Sequence, residues 1–373
     1  MKKRNVRHHI KRMGHTAQQV AALNKGPWRW AVGVQAGFAM GLPVALFTFL
    51  GNQSLGLMAS LGGFTALYCA ARSTRERMLA LPLVAAGLVA ASAIGVLCSG
   101  NAWLSMAALV VVAAVACIFT MGSRLGPPGP IMFILVAAVS SHLAAPVSSG
   151  GAAVAGYTVP MLVALGSILA YLAVMAMQAL PFLRNPAAAL PPLSLRIRLD
   201  KTGRVITARI VAAVMVAKLA ASPLAAHRAY WVVIAAVAIL QAAKDRRLTT
   251  VRAIQRVLGT LLGIVLFEAL LFVNPTGFLL VLIIMALQFA TEVVVTRNYV
   301  LALIFITPLA LTNTTIGPNA NISVTMQGRV LDTLLGAAIA MLVLWIVESL
   351  WKKIYNASKA SRPQKQGQVN NRY

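Results

Sequence analysis

Two copies of one short motif carry the residues best suited to bind an anion. Residues 256–263 read RVLGTLLG and residues 329–336 read RVLDTLLG, so the copies differ at one position. An arginine guanidinium binds a carboxylate through paired hydrogen bonds, and an ionisable group inside an apolar segment is costly enough to indicate function. The motif therefore predicts that Arg256 and Arg329 bind an anionic substrate. Asp332, three residues after Arg329, is a predicted proton carrier.

Two further ionisable residues lie within apolar stretches of the second half of the chain. Lys218 is a second candidate for binding an anion, because a buried lysine needs a functional or structural reason. Glu268 is either part of a buried cluster of acids and bases, with a role in proton coupling, or a simple interfacial residue. Glu292 is expected to form an ion pair with Arg297 at the membrane edge.

Aromatic and helix-interrupting residues complete the predicted substrate site. Tyr230 and Trp231 could stack against an aromatic ring, although such residues also anchor helices at membrane interfaces. Thr307 and Pro308 interrupt an apolar stretch. A proline within the membrane frees a backbone carbonyl, and interrupted helices often mark transporter binding sites. We therefore expect this segment to line the substrate path.

Motifs typical of enzymes are absent from the sequence. It contains no G-x-x-x-x-G-K-[ST] phosphate loop, no H-E-x-x-H zinc motif and no paired carboxylate motif for metal-assisted chemistry. The three cysteines are scattered through apolar stretches, which indicates packing rather than disulfides or metal ligands. We expect no enzymatic activity, no metal and no cofactor.

The composition shows what kind of elements must position these residues. Of the 373 residues, 59% are hydrophobic and 11% are charged, and the mean hydropathy is +0.80. A soluble domain has about 45–50% apolar and about 25% charged residues. The chain is therefore predicted to be an all-α integral membrane protein. The formal net charge of +26 follows from membrane topology, so no nucleic-acid partner is expected.

Apolar stretches of roughly 17–25 residues can span a bilayer as helices. The sequence predicts about twelve of them, in a first six-helix half (28–181) and a second six-helix half (205–350). The predicted spans are 30–50, 54–71, 78–97, 103–121, 131–147, 157–180, 205–221, 229–243, 251–273, 277–295, 298–312 and 327–350.

Most of the 33 Lys and Arg residues fall on one predicted side of these spans. They lie in a basic N-terminal arm (1–27), a Pro-rich linker (182–204), a basic tail (351–373) and the alternate short connections. The positive-inside rule then places both termini in the cytoplasm. The arm is either a topology anchor or a segment attracted to anionic lipid.

The spacing of the two motif copies predicts an inverted repeat of three plus three spans in the second half. Three predicted spans separate the copies, so the first arginine enters from the cytoplasmic face and the second from the outer face. Inverted repeats recur in secondary transporters that alternate access around a central site. Gly259, Gly263 and Gly336 are expected to allow close packing of these helices.

These motifs resemble the fusaric acid resistance protein-like family of aromatic acid exporters. In that family a Tyr-Trp-led segment precedes an R-x-L-G-T-x-x-G helix, and a T-P-L-A-L-type stretch precedes an R-x-x-D-T-x-x-G helix. The matching positions here are 230–231, 256–263, 307–311 and 329–336. Larger members carry a soluble region between their halves, whereas this chain has only residues 181–204 there.

The resemblance implies a multi-pass exporter of small aromatic carboxylates in the bacterial inner membrane, with proton antiport as the hypothesis for its energy source. A periplasmic adaptor subunit and a homo-oligomer are candidate partners. Two other functions stay open at this point: a non-transporting envelope scaffold and a passive anion channel.

Overall fold

The computed structural model is predominantly helical in the part of the chain that it describes. That part is residues 18–20, 22–24, 28–147, 151–184, 193, 198–221, 230–242, 246–314 and 322–360, and no β-strand occurs in it. The helices are α1 (Trp30–Phe49), α2 (Gln53–Ala59), α3 (Thr74–Leu97), α4 (Ala102–Gly122), α5 (Ile131–Ala144), α6 (Thr158–Ala179), α7 (Lys201–Ala221), α8 (Tyr230–Ala242), α9 (Arg246–Val273), α10 (Gly277–Val294), α11 (Tyr299–Thr314) and α12 (Ile322–Ala360). Most of the predicted arm and linker, and the tail beyond residue 360, lie outside the described residues.

Seven of the described helices are long and apolar enough to cross a bilayer. They are α1, α3, α4, α6, α9, α10 and the Ser323–Ser349 part of α12. Helices α5, α8 and α11 are apolar but shorter. The prediction of an all-α, multi-pass membrane protein is therefore confirmed, whereas the total of twelve spans and the inverted repeat stay predictions.

The second predicted span is not one continuous α-helix. Helix α2 ends at Ala59 and continues as a 3-10 helix, Ser60–Leu67. A side chain at Gly62 would collide with the backbone of α6 at Val163, and one at Gly166 of α6 would collide with the carbonyl of Ala59. The backbones thus pack directly against each other, and this contact between distant segments replaces the regular helix that hydropathy predicted.

Arg77 holds the end of the 3-10 helix. Its side chain is fully buried, and Nη2 donates a hydrogen bond to the carbonyl of Ala66 (3.1 Å) while Nη1 donates to Oε1 of Gln35 (2.7 Å). Carbonyl groups at a helix end lack partners within the helix, and inside a membrane they need one from elsewhere. Arg77 directly precedes the predicted span 78–97, yet its side chain belongs to the buried core.

Close helix packing joins the two predicted halves. Helix α1 of the first half lies against α10 of the second half, and a Cβ atom at Gly33 or Gly37 would stand 2.9 Å from the carbonyl oxygen of Phe289 or Met285. Only glycine permits this separation. The contact between α1 and α10 therefore holds the two predicted halves close together.

The two motif helices make matching contacts in the second half. Helix α9 packs against α11, where a Cβ at Gly259 would lie 2.6 Å from that of Leu303. Helix α12 packs against α8, where a Cβ at Gly336 would lie 2.5 Å from that of Ala235. Each RVL-x-TLLG helix thus contacts one of the two short helices that begin with tyrosine.

Candidate functional site

A cavity of about 490 Å³ lies between the two halves of the protein. Helices α1, α2, α5, α8, α9, α10, α11 and α12 contribute to its wall, together with the 3-10 helix. Most of the lining is apolar. The charged residues that line it, among those described, are Arg29, Arg252, Arg256, Arg329 and Glu292. Four cationic side chains against one acidic side chain favour an anionic occupant.

Arg329 enters the cavity from the motif of α12. It is 2% exposed, and its guanidinium carbon lies 3.7 Å from the centroid of the Trp231 ring. Its Nε and Nη1 atoms are buried and have no hydrogen-bond partner in the described part of the chain. Asp332 is close enough to interact with it electrostatically. The arginine thus has one face on an aromatic ring and N–H groups that are free to bind an anion.

Arg256 occupies the corresponding position in the motif of α9. Its Nη1 donates a hydrogen bond to the hydroxyl of Tyr299 (2.7 Å), and its Nε has no partner among the described residues. The guanidinium carbon of Arg252 lies 4.6 Å from the centroid of the same tyrosine ring. The side chain of Asn298 accepts hydrogen bonds from the N–H groups of Val300 and Leu301, which fixes the start of α11 and so the position of Tyr299.

Of the two predicted aromatic residues, Trp231 lines the cavity and Tyr230 does not. Tyr230 is buried behind it, and its ring centroid lies 5.0 Å from that of Trp231 and 5.1 Å from that of His142. Tyr230 therefore supports Trp231 rather than facing an occupant.

Thr307 and Pro308 are buried in α11 but do not line the cavity. Thr307 faces α9, where it meets Gly263, while Ile306 and Leu309 on either side of the pair contribute to the wall. The segment predicted to line the substrate path thus meets the cavity through Ile306 and Leu309. The helix is not interrupted at Pro308 and continues to Thr314.

The remaining predicted residues lie away from the cavity wall. Lys218 is half-buried on α7, and Asp332 is buried next to Arg329, and neither lines the cavity. Glu268 is exposed on α9 and does not line the cavity.

The acid that lines the cavity, among the described residues, is Glu292, which the sequence predicted only as part of an ion pair at the membrane edge. Glu292 is 8% exposed and forms an ion pair with Arg29 (3.8 Å), where the sequence predicted Arg297 as its partner. The side chain of Gln288 donates a hydrogen bond to it (3.5 Å). Arg29 and Glu292 lie far apart in the sequence and meet because α1 packs against α10, so no local spacing could have revealed the pair.

No group of three or more His, Cys, Asp or Glu side chains in the described ranges is arranged to hold a metal ion. The polar groups that face the cavity are instead guanidinium, amide, hydroxyl and one carboxylate group.

Helices long and apolar enough to span a membrane surround a largely apolar cavity with cationic side chains, which defines a multi-pass membrane protein. The sequence profile of the fusaric acid resistance protein-like family matches residues 206–343. This range begins in α7 and ends within α12. The resemblance seen in the motifs is thus confirmed for this part of the chain.

One similar curated protein is the "uncharacterized membrane protein YvaC" of Bacillus subtilis (strain 168). The two chains are 38% identical over 122 residues, which is 33% of this chain and 19% of that relative. This chain therefore aligns with only about a fifth of the relative's length. No solved structure matches the chain.

Proposed function

We propose that the protein is a secondary transporter that exports small aromatic carboxylates across the bacterial inner membrane. The observation that carries this proposal is the presence of Arg256 and Arg329 in one cavity, each buried and each with an N–H group that has no partner among the described residues. A buried, unsatisfied guanidinium group is costly. An anionic occupant would offset that cost.

The size and wall of the cavity suit a small aromatic anion. Its volume of about 490 Å³ falls within the range of about 300–1,000 Å³ that is common for small-molecule sites. Trp231 and Tyr299 offer ring faces, while Phe64 and Leu135 are among the apolar lining residues. We assign the ring of the substrate to this apolar wall and its carboxylate to the arginines.

The matching surroundings of the two arginines support alternating access. Arg256 contacts Tyr299 at the start of α11, and Arg329 contacts Trp231 at the start of α8. Paired sites of this kind are expected where two inverted repeats meet around one substrate. We infer that the two arginines bind the substrate carboxylate one after the other. One binds it while the cavity is open to one side of the membrane, and the other while it is open to the opposite side.

Proton antiport is the proposed energy source, with Asp332 as the carrier next to Arg329. Protonation of Asp332 removes a negative charge beside Arg329, so the charge states of the two residues are coupled. Antiport requires in addition that the cavity carries the proton in one orientation and the anion in the other. Glu268 stays a prediction for proton coupling, and Lys218 for anion binding. A periplasmic adaptor subunit and a homo-oligomer also stay predictions.

Efflux of a radiolabelled hydroxybenzoate tests the proposed function. Cells that express the protein should lose the label faster than cells without it, and an uncoupler that collapses the proton gradient should abolish the difference. The substitution R329Q should abolish it as well, while R246Q, which removes an ion pair with Glu348 at a different place, should leave it intact. Equal retention of the label under every condition would contradict the proposal.

A further inference from the structure

The described segment ahead of α1 lies across the connection between α10 and α11. The carbonyl oxygen of Val20 accepts hydrogen bonds from the side-chain amides of Asn298 (3.1 Å) and Gln255 (3.2 Å), and that of Ala22 accepts one from Asn298 (3.2 Å). Residues 18–20, 22–24 and 28–29 are called the N-terminal strap below. Asn298 both caps α11 and binds the strap, so the strap is tied to the helix that carries Tyr299.

Two more contacts bind the strap to the same connection. The backbone N–H of Asn24 donates to the carbonyl of Arg297 (3.0 Å), and its side-chain amide donates to the carbonyl of Thr296 (3.3 Å). The guanidinium carbon of Arg297 lies 3.7 Å from the centroid of the Trp28 ring. Because Thr296 lines the cavity, the strap lies at one end of it.

The last residue of the strap closes this end with an ion pair. Arg29 and Glu292 both line the cavity, and their charged groups are 3.8 Å apart. The pair joins the start of α1 to the last turn of α10, two helices from different halves of the protein. Glu292 is the one carboxylate among the described residues that line the cavity.

We propose that the N-terminal strap is the cytoplasmic gate of the cavity and that the Arg29–Glu292 ion pair is its latch, released when Glu292 takes up a proton. This inference rests on the proposed function. Of the charged groups described, Arg29 is the one that faces Glu292 directly, and Gln288 of its own helix contributes the neutral hydrogen bond. Arg252 and Arg256 of α9 and Tyr299 of α11 line the same cavity.

The proton step accounts for an exchange of proton and substrate. A proton that arrives through the cavity from outside converts the Glu292 carboxylate to a neutral carboxylic acid, and Arg29 loses its ion-pair partner. The strap then separates from the end of the cavity, a carboxylate enters from the cytoplasm, and the proton leaves to the cytoplasm. The ionised Glu292 pairs with Arg29 again and closes the gate behind the substrate.

Access to a cysteine inside the cavity tests the gate without any substrate. Ala238 lines the cavity on α8 and belongs to neither the strap nor the latch. In inverted membrane vesicles, which expose the cytoplasmic face, A238C should react slowly with a membrane-impermeant thiol reagent. The three native cysteines give a background rate, which the protein without A238C measures.

Removal of the latch should speed the reaction. We expect E292Q and R29Q each to raise the labelling rate of A238C about fivefold, because an ion pair of this kind stabilises the closed state by up to that factor. R29K keeps the positive charge and should leave the labelling rate low. R246Q removes the unrelated ion pair with Glu348 and should also leave the labelling rate low. E292Q keeps the shape of the side chain, and elution as a single species in detergent shows that each variant is folded.

The pH dependence separates a latch from a structural contact. We compare the labelling rate of A238C in the E292Q background with its rate in the unsubstituted background. The ratio of the two should be high at alkaline pH, where Glu292 is ionised and the ion pair is intact. It should fall toward one as the pH drops through the range where carboxyls take up protons. Equal rates in the E292Q and unsubstituted backgrounds, or a ratio that is independent of pH, would overturn the proposal. Labelling needs no transport, so this failure is distinct from equal retention of hydroxybenzoate.

Discussion

The guanidinium carbon of Arg329 lies 3.7 Å from the centroid of the Trp231 ring, inside the cavity between the two halves. A cation over an aromatic face gains about 2 kcal/mol or more where water is excluded. This contact offsets part of the cost of burying the charge and leaves the N–H edge of the guanidinium group for an anion. Trp231 therefore both stabilises Arg329 and orients it.

Replacement of the tryptophan ring should weaken substrate binding. W231L removes the ring face that Arg329 lies on, and we expect the KM for efflux in proteoliposomes to rise about thirtyfold, since the lost contact contributes about 2 kcal/mol. W231F keeps an aromatic face and should show a smaller rise. An equal KM for W231L and the unsubstituted protein would show that the ring does not orient the arginine.

The hydroxyl of Tyr299 can be removed without loss of its ring. Y299F deletes the 2.7 Å hydrogen bond from Arg256 and keeps the ring beneath Arg252. A hydrogen bond to a charged group contributes about 1.5–3 kcal/mol, so the rate of efflux at low substrate concentration should fall roughly tenfold or more. Y157F, at an exposed tyrosine, is the matched control and should transport normally.

The sequence predicted the helices and the motif better than it predicted the site. Apolar length places a membrane helix, and the Gly259 and Gly336 contacts follow from the repeated motif, because both features are local. The 3-10 helix depends on contact between Gly62 and α6, and the Arg29–Glu292 pair depends on the packing of α1 on α10. Partners that are chosen by tertiary packing leave no regular spacing along the chain.

Tertiary packing also decides where Thr307 and Pro308 lie. The sequence predicted an interrupted helix there, but α11 runs through Pro308 and turns its small polar face toward Gly263 of α9. A hydroxyl next to glycine is typical of close helix packing in membranes. The helices that pack against a given helix decide which of its faces meets the cavity. The hydropathy of the sequence does not show which face that is.

A methyl group at the α1–α10 contact should destabilise the protein. In G37A the new Cβ would stand 2.9 Å from the carbonyl oxygen of Met285, so the two helices must separate, at a cost of about 1–3 kcal/mol. We expect a lower apparent Tm for the purified protein in detergent. G100A, where a Cβ meets nothing within 4 Å, is the control, and a similar Tm for both variants would argue against close packing at Gly37.

Arg77 and Gln35 should be energetically coupled. R77M leaves the carbonyl of Ala66 and Oε1 of Gln35 without their donor, and an unsatisfied buried polar group costs about 1–3 kcal/mol. Q35L alone removes one acceptor and also the hydrogen bond from its Nε2 to the carbonyl of Leu183. The double variant should therefore lose less stability than the sum of the two single losses. Tm values of the four proteins in detergent measure this coupling, and R75A, at an exposed arginine of the same helix, supplies the control for loss of positive charge. Strictly additive losses would show that Arg77 does not act through Gln35.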